Sequence, residues 1–305
     1  MSMFLENEQS RTYQRDKRTR FWVSIKYDEN SGYVIYVAEC LKDWFAYRFP
    51  HFYRSAGSQW LKSSTGRSYL SIDFFDSFDL DWEKLDGVLQ YVGNECFWPD
   101  KSKSTDGIAS NLEACIVRDY MSRTEDLRLR TQIGGLFHDA KYENDIPLYD
   151  RNIMTAQLSN EIVKMINYTL GISDGLMQEY FSCMLISSMP IDHEKMRDNF
   201  EYNICKNVAE ALHFPLALPF IDGAYKRQVK GMSISEKNSY WDSLICNKRI
   251  TVDEGIVRDK IVILVDDLYQ SGVSMEKTAQ FLKSCGAYKV YGVACVKAMR
   301  DSDNT

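Results

Sequence analysis

The stretch that decides the fold is IVILVDDLYQSGVS, residues 261–274. Its five apolar residues, 261–265, predict a strand that is buried on both faces, as in a parallel sheet covered by helices. Asp266 and Asp267 stand where this strand ends, and a short loop then leads into a predicted helix at 274–286. Ligands of parallel α/β sheets bind at the carboxyl ends of the strands, so we expect a binding site at this turn.

The loop after the two acids has the composition of an anion site. Ser271, Gly272 and Ser274 offer two hydroxyls and backbone N–H groups at the start of a helix, whose dipole attracts negative charge. Neighbouring carboxylates would repel a phosphate unless they hold sugar hydroxyls or a Mg²⁺ ion. The combination therefore predicts a ribose 5-phosphate site, and the structural alternative is a generic strand whose terminal acids cap the next helix.

The rest of the chain predicts two domains. The length of 305 residues is sufficient for two, and we place the boundary at residue 125. In 1–125, an alternating pattern predicts a β-hairpin at 21–40 and a helix at 82–95, which indicates an α+β domain. In 126–305, strands and helices alternate, which predicts an α/β domain with a parallel sheet flanked by helices. Its expected strands are 183–190, 261–267 and 289–298, and its expected helices are 152–171, 203–214 and 274–286. Segment 111–142 has the pattern of interrupted helix.

Composition excludes several classes of protein. A net charge of −6 argues against a surface devoted to nucleic acid, although Arg11, Arg15, Lys17, Arg18 and Arg20 form a local basic run. We expect that run to be a solvated arm, with contact to a protein or nucleoprotein partner as the alternative. No apolar run approaches the ~20 residues of a membrane span, and no signal peptide is evident, so we expect no membrane association and a cytoplasmic location. The eight cysteines form no C-x-x-C pair, which favours buried free thiols over a zinc site.

The segment 262–274 resembles the signature with which type I phosphoribosyltransferases bind 5-phosphoribosyl 1-pyrophosphate (PRPP). That signature has four apolar residues, two acids, a variable trio, then Ser or Thr, Gly, any residue, and Ser or Thr. The resemblance implies that Asp266 and Asp267 are the catalytic acids, bind the ribose hydroxyls and hold Mg²⁺. It also implies a phosphate and ribose site formed by Tyr269, Gln270, Ser271, Gly272, Val273 and Ser274. Tyr269 can stack on a base or pack beside the loop.

The wider resemblance covers about 130–305 and is to the ComF-like branch of the family. Ser188, Lys195 and Arg197 then fall in the loop that meets pyrophosphate. Two departures stand out. Glu201, in the stretch 199–202, is a poor neighbour for pyrophosphate, and Gln270 replaces the acid that serves as a base in several family members.

The resemblance implies two kinds of function. The first is an enzyme that binds PRPP or a nucleotide and transfers the ribosyl group, or that depletes nucleotides as an effector of anti-phage defence, as in retrons. The second is an altered nucleotide-sensing or regulatory module that binds ligand without turnover. We expect an enzyme that forms an oligomer, with any protein or nucleoprotein partner contacting residues 1–125.

Overall fold

The computed structural model describes residues 10–28, 32–73, 75–100, 110–123, 126, 128–175, 178–196, 199–223, 229 and 231–298. Residue contacts divide the chain into two compact units. The first is Met1–Pro99 with Asn167–Leu176, and the second is Asp100–Ile166 with Met177–Thr305. The domain boundary predicted from the sequence, residue 125, falls within the first segment of the second unit, Asp100–Ile166.

The first unit is built on an antiparallel sheet with the strand order β1-β2-β3-β5-β4. These strands are β1 (Ser10–Tyr13), β2 (Val23–Asp28), β3 (Gly32–Val37), β4 (Leu61–Lys62) and β5 (Ser68–Ile72). Its helices are α1 (Lys42–Arg48), α2 (Pro50–Ser55) and α3 (Trp82–Leu89), and a π-helical turn, Gln90–Glu95, follows α3. The antiparallel pairing of β2 with β3 confirms the predicted hairpin, and part of its turn lies outside the described residues.

The basic run near the N-terminus, predicted to be a solvated arm, is packed in its first part, whereas Lys17, Arg18 and Arg20 are exposed. Arg11 lies in β1, and its Nη1 atom is 2.9 Å from Oδ1 of Asp86 on α3. Arg15 donates a hydrogen bond of 2.7 Å to the backbone oxygen of Glu95. These contacts hold two of the five basic side chains against the unit's own helical segment.

The second unit contains the predicted parallel sheet, with the strand order β6-β13-β12-β7-β9. Its strands are β6 (Cys115–Tyr120), β7 (Met184–Ser188), β9 (Leu216–Ala217), β12 (Ile261–Tyr269) and β13 (Lys289–Lys297). A smaller sheet consists of β8 (Ile191–Asp192), β10 (Phe220–Ile221) and β11 (Ile250–Thr251). The helices are α4 (Gln132–Tyr142), α5 (Leu148–Leu170), α6 (Phe200–Leu212), α7 (Ile234–Cys246), α8 (Glu254–Val257) and α9 (Val273–Ser284). The predicted fold class, α/β with an N-terminal α+β part, is confirmed.

The central strand β12 is buried on both faces, as its apolar sequence predicts. It pairs in parallel with β13 on one side and β7 on the other, and residues 261–265 are all buried. A strand in this position needs apolar side chains on both faces because helices cover both faces of the sheet. None of the helices among the described residues is long and apolar enough to span a bilayer.

The helical interpretation of 111–142 is wrong for its first part. Residues Cys115–Tyr120 form β6, which adds to the edge of the sheet by parallel pairing with β13. The charged side chain of Arg118 obscured the strand pattern, and Arg118 instead pairs with Glu161 at 2.6 Å. The remainder, from Gln132, is helical as expected.

Gly134 lets α4 pack closely against the end of β6. A Cβ atom at Gly134 would overlap the carbonyl oxygen of Met121, whereas a Cβ at the neighbouring Gly135 has nothing within 4 Å. We therefore expect Gly134→Ala to lower the free energy of unfolding by roughly 2 kcal/mol, because the helix must move away from the strand. Gly135→Ala is the matched control and should be neutral or stabilising, since alanine favours helix by about 0.5–1 kcal/mol. Urea denaturation measures both, and equal losses for the two variants would contradict this packing.

Candidate functional site

The site begins at the aligned carboxyl ends of β7 and β12. Ser188, the last residue of β7, is in register with Val265 of β12, so the segment after β7 and the acid pair begin at the same edge. Asp266 and Asp267 follow on β12, which continues to Tyr269 beside β13. This is the edge at which parallel sheets bind their ligands.

A cavity of about 320 Å³ opens at this edge. Its size is at the lower end of the range for ligand pockets, which is roughly 300–1,000 Å³. Seven of the predicted site residues line it, namely Asp266, Asp267, Tyr269, Gln270, Ser271, Gly272 and Ser274. The other lining residues are Met189, Pro190, Glu201, Ile221, Val229, Lys237, Tyr240, Trp241, Leu268 and Met275.

Asp267 is buried and forms an ion pair with Lys141 of α4. The Lys141 Nζ atom lies 2.5 Å from Oδ2 of Asp267. Burial alone would lower the pKa of Lys141, but the charge of Asp267 and its hydrogen bond outweigh burial and raise the pKa above its ordinary value. Lys141 therefore stays charged and places a fixed positive charge beside the acid pair.

Asp266 has a different electrostatic environment from its neighbour. Burial raises the pKa of Asp266, and the adjacent charge of Asp267 raises it further, while Lys141 acts in the opposite direction. The net result is a pKa well above the ordinary range of an aspartate. A buried carboxylate whose pKa is raised beside a second carboxylate is frequent in functional sites.

The raised pKa of Asp266 makes stability depend on pH. Between the two pKa values, the folded protein holds a proton on Asp266 that the unfolded chain releases. The contribution of Asp266 to the free energy of unfolding is therefore complete below about pH 4, its pKa in the unfolded chain. This contribution is lost as the pH rises through its pKa in the folded protein. We expect Asp266→Asn to remove this loss and to raise the free energy of unfolding at pH 8 by about 1 kcal/mol or more. Urea denaturation across pH 4–8 measures the effect. The exposed Asp150→Asn should leave the wild-type slope intact, and an unchanged slope in Asp266→Asn would contradict the assignment.

Two buried thiols near the acids are not suited to act as nucleophiles. Burial raises the pKa of Cys205, and the charges of Glu201 and Asp266 raise it further. Burial likewise raises the pKa of Cys295, with Asp267 and Asp266 adding to it. The thiolate is the reactive form of cysteine, so these residues serve the core rather than the chemistry.

The loop between β12 and α9 presents the start of a helix to the cavity. Gly272 has φ +83°, in the left-handed region, and it precedes α9 with no side chain capping the first turn. Uncapped N–H groups at a helix start, combined with the helix dipole, attract an anion. Ser274 Oγ accepts a hydrogen bond of 3.1 Å from Trp241 Nε1, which fixes the hydroxyl on one side.

The side chain of Tyr269 packs against the turn of this loop at Gly272. Its side chain is buried, and a Cβ at Gly272 would overlap its hydroxyl, so the ring lies directly under the turn. Lys297 of β13 donates a hydrogen bond of 2.9 Å to the backbone oxygen of Gln270. Of the two roles predicted for Tyr269, packing against the loop agrees with these contacts better than stacking on a base.

The remaining predicted residues do not line the cavity. Val273 is fully buried at the start of α9, and Ser188 is fully buried with its hydroxyl donating to the Met189 carbonyl at 2.9 Å. Lys195 is exposed in a short 3₁₀ turn. Arg197 lies outside the described residues.

Comparison with known protein families identifies the part of the chain that contains the loop between β12 and α9. Residues 204–303 match the family model of the phosphoribosyl transferase domain. The matched segment contains most of α6, all of α7, and β12 with its loop and α9, and it leaves the first unit outside. No curated protein matches the chain.

One similar solved structure is phosphoribosylpyrophosphate synthetase from Mycobacterium smegmatis. The identity is 15%, the similarity covers 53% of this chain and 50% of that chain, and the TM-score is 0.26. The chain thus spans about half the length of that enzyme.

Four residues of the second unit line the cavity or contact its acid pair without having been predicted to do so. Glu201 was noted only as a poor neighbour for pyrophosphate, and its Oε1 accepts a hydrogen bond of 2.6 Å from the Met189 backbone N–H. Lys237 and Trp241 of α7 line the cavity, and Lys141 of α4 holds Asp267. The capping box of Ser233 and Glu236, which begins α7, is a sequence signal that could have predicted the helix carrying Lys237 and Trp241.

Two groups among the described residues have donor atoms suited to a metal ion. Asp266 and the Asp267 oxygen that does not bind Lys141 fit Mg²⁺, which prefers oxygen ligands and keeps several waters. His138, Asp139 and Glu143 also place their ligand atoms within 4.8 Å of one another. In that second group, His138 Nδ1 lies 3.3 Å from Oδ1 of Asp139 and 3.2 Å from Oε1 of Glu143, so contacts with the imidazole account for the arrangement.

Proposed function

We propose that the phosphoribosyl transferase domain, residues 126–305, binds PRPP or another ribose 5-phosphate, such as a nucleotide, together with Mg²⁺. One observation supports this above the others. The acid pair Asp266 and Asp267 and the uncapped start of α9 line the same cavity. Carboxylates are suited to the 2′- and 3′-hydroxyls of a ribose, and a helix start is suited to its 5′-phosphate.

The proposed chemistry is cleavage of the bond at C1 of the ribose. The leaving pyrophosphate or base takes the electron pair of that bond. A nucleophile such as water forms the new bond to C1 and gives up its proton to the leaving group or to bulk water. Positive charge develops on the sugar in between, and the carboxylate of Asp267, together with that of Asp266 once it has lost its proton, stabilises this charge electrostatically. Mg²⁺ held by these acids would neutralise charge on a leaving pyrophosphate.

Calorimetric titration with PRPP and Mg²⁺ tests this proposal. We expect a binding heat for the wild type and none for the double variant Asp266→Asn plus Asp267→Asn. Asp150→Asn is the control for a lost surface charge, and thermal melts verify that each variant is folded. Absence of binding by the wild type to PRPP and to ribose 5-phosphate alike would refute the proposal, as would equal heat in the double variant.

A binding or regulatory module is the second candidate, and Glu201 favours it. Its carboxylate occupies the Met189 N–H at the edge where a leaving pyrophosphate would need donors. A module of this kind would bind ligand without releasing pyrophosphate or free base. Measured turnover by the wild type would exclude it.

We further propose that the enzyme is of the ComF-like branch and acts in the cytoplasm as an oligomer. Residues 1–125 would contact a protein or nucleoprotein partner, and nucleotide depletion would serve anti-phage defence. Growth arrest on expression that disappears in the Asp266 and Asp267 double variant supports this role. Harmless expression of both forms without any partner counts against it.

A further inference from the structure

Trp241 of α7 and Ser274 of α9 meet at the edge of the cavity. Both residues line it, and Trp241 is 7% exposed. The Trp241 Nε1 atom lies 3.1 Å from Oγ of Ser274. The next residue of α7 is also joined to α9, because Lys277 Nζ lies 2.6 Å from Oδ1 of Asp242. These two contacts fix the position of the indole relative to the first turn of α9.

The chemistry of the two groups fixes the direction of this hydrogen bond. An indole N–H can only donate, whereas a serine hydroxyl can both donate and accept. Ser274 Oγ is therefore the acceptor, and its own proton must point away from Trp241. Without the indole, the hydroxyl could rotate and present either its proton or a lone pair to the cavity.

The proton of the Ser274 hydroxyl is available to a ligand. Within the part of the chain that the structure describes, Ser274 Oγ takes part in no hydrogen bond other than the one from Trp241. The Ser274 backbone N–H belongs to the first turn of α9, whose N–H groups have no partner within the helix. Ser274 therefore offers two donors where the helix begins.

A hydroxyl that is held as a donor is matched to an ionised phosphate. A phosphate group at pH 7 presents oxygens that accept hydrogen bonds, so a lone pair directed at it would be repelled. Hydrogen bonds to ionised groups are stronger than those between neutral groups. A hydroxyl that is already oriented also loses less rotational freedom when the ligand binds. The indole therefore favours phosphate binding without contacting the phosphate.

We propose that Trp241 is a positioning residue, whose indole N–H holds the Ser274 hydroxyl as a donor to the phosphate of the ligand. Trp241 acts through Ser274, so its effect on affinity exists only while the Ser274 hydroxyl is present. The inference rests on the proposed ribose 5-phosphate site and assigns a role in that site to a residue of α7.

A double-mutant cycle with ribose 5-phosphate, read by calorimetry, tests this role. Ser274→Ala removes the hydroxyl and should weaken binding about tenfold. Trp241→Phe keeps an aromatic ring, removes the N–H and should weaken binding about fivefold. The double variant should bind no more weakly than Ser274→Ala alone, because the hydroxyl that Trp241 orients is already absent. If Trp241 only maintained the shape of the cavity, the two losses would multiply.

Trp82→Phe is the matched control, because Trp82 belongs to the first unit and its Nε1 donates to the Ser77 carbonyl oxygen at 2.9 Å. It removes the same kind of donor and should leave the affinity unchanged. Wild-type affinity in Trp241→Phe, or losses that multiply in the double variant, would overturn the role of Trp241 and leave the proposed function standing. Absence of binding by the wild type refutes the proposed function itself.

The indole N–H resonance of Trp241 gives a second test, which decides the proposal even where Trp241→Phe does not fold. A hydroxyl that donates to a phosphate becomes a stronger acceptor, because hydrogen bonds in a chain polarise one another. We expect saturating ribose 5-phosphate to move this resonance downfield in the wild type and not in Ser274→Ala. An unmoved wild-type resonance, or an equal shift in Ser274→Ala, would overturn the proposal.

Discussion

Gly272→Ala should reduce the affinity for ribose 5-phosphate at least 100-fold. The φ of +83° at Gly272 lies in the left-handed region, which costs a residue with a Cβ about 1–2 kcal/mol. The new Cβ would also overlap the buried Tyr269 hydroxyl, so the turn has to move away from its support. The N–H groups at the start of α9 then lose the positions from which they can bind a phosphate. A 100-fold loss corresponds to about 2.7 kcal/mol of binding free energy.

Calorimetric titration with ribose 5-phosphate measures this loss, and Gly286→Ala is the matched control. Gly286 follows the other end of α9 with φ +97°, and its added Cβ would be 3.3 Å from the side chain of Arg258. This control should lower stability by about 1 kcal/mol through the same backbone strain and leave the affinity unchanged. Adding Tyr269→Phe to Gly272→Ala removes the overlapping hydroxyl and should restore part of the affinity. Wild-type affinity in Gly272→Ala would show that the loop does not bind the phosphate.

Lys141→Met should lower the free energy of unfolding by about 3 kcal/mol. The Lys141 side chain is 26% exposed and the Asp267 side chain 9%. Removal of the ammonium therefore leaves the buried Asp267 carboxylate, next to Asp266, without its positive partner. Breaking one side of a buried ion pair costs roughly 3–5 kcal/mol. The pKa of Asp266 should also rise further, because the charge of Lys141 holds it down.

A double-mutant cycle separates this pair from the packing of Lys141 on nearby rings. Asp267→Asn in the Lys141→Met background should recover most of the lost stability, since the buried charge that Lys141 compensated is then removed. Lys206→Met is the control, because the 51% exposed Lys206 forms a surface pair that is worth under about 1 kcal/mol. Urea denaturation gives all four corners of the cycle. Additive losses in the double variant would mean that the ion pair does not couple the two residues.

The sequence predicted the part of the site that is local in the chain. A buried strand, two acids, a glycine turn and a helix follow one another within 261–284, and each leaves a recognisable pattern. The positive φ at Gly272 agrees with that pattern. The acids follow the last residue of β12 that pairs with β7, but the strand itself continues to Tyr269, two residues beyond its predicted end. The helices that flank the sheet also followed from their apolar periodicity.

The rest of the site depends on contacts between distant segments. Lys141 and Asp267 are 126 residues apart, and Trp241 and Ser274 are 33 apart, so no local pattern joins them. Strand β6 escaped prediction for the same reason, because its pairing with β13 exists only in the folded sheet. Glu201 could be flagged as unfavourable for pyrophosphate, but its bond to the Met189 N–H follows from the packing of α6 against β7.

A crystal structure of the chain with bound ribose 5-phosphate is the decisive experiment for the proposed site. We expect phosphate oxygens within hydrogen-bond distance of the backbone N–H groups at 271–275, and the 2′- and 3′-hydroxyls on Asp266 and Asp267. A ligand bound elsewhere, or one that places its phosphate away from the start of α9, would contradict it.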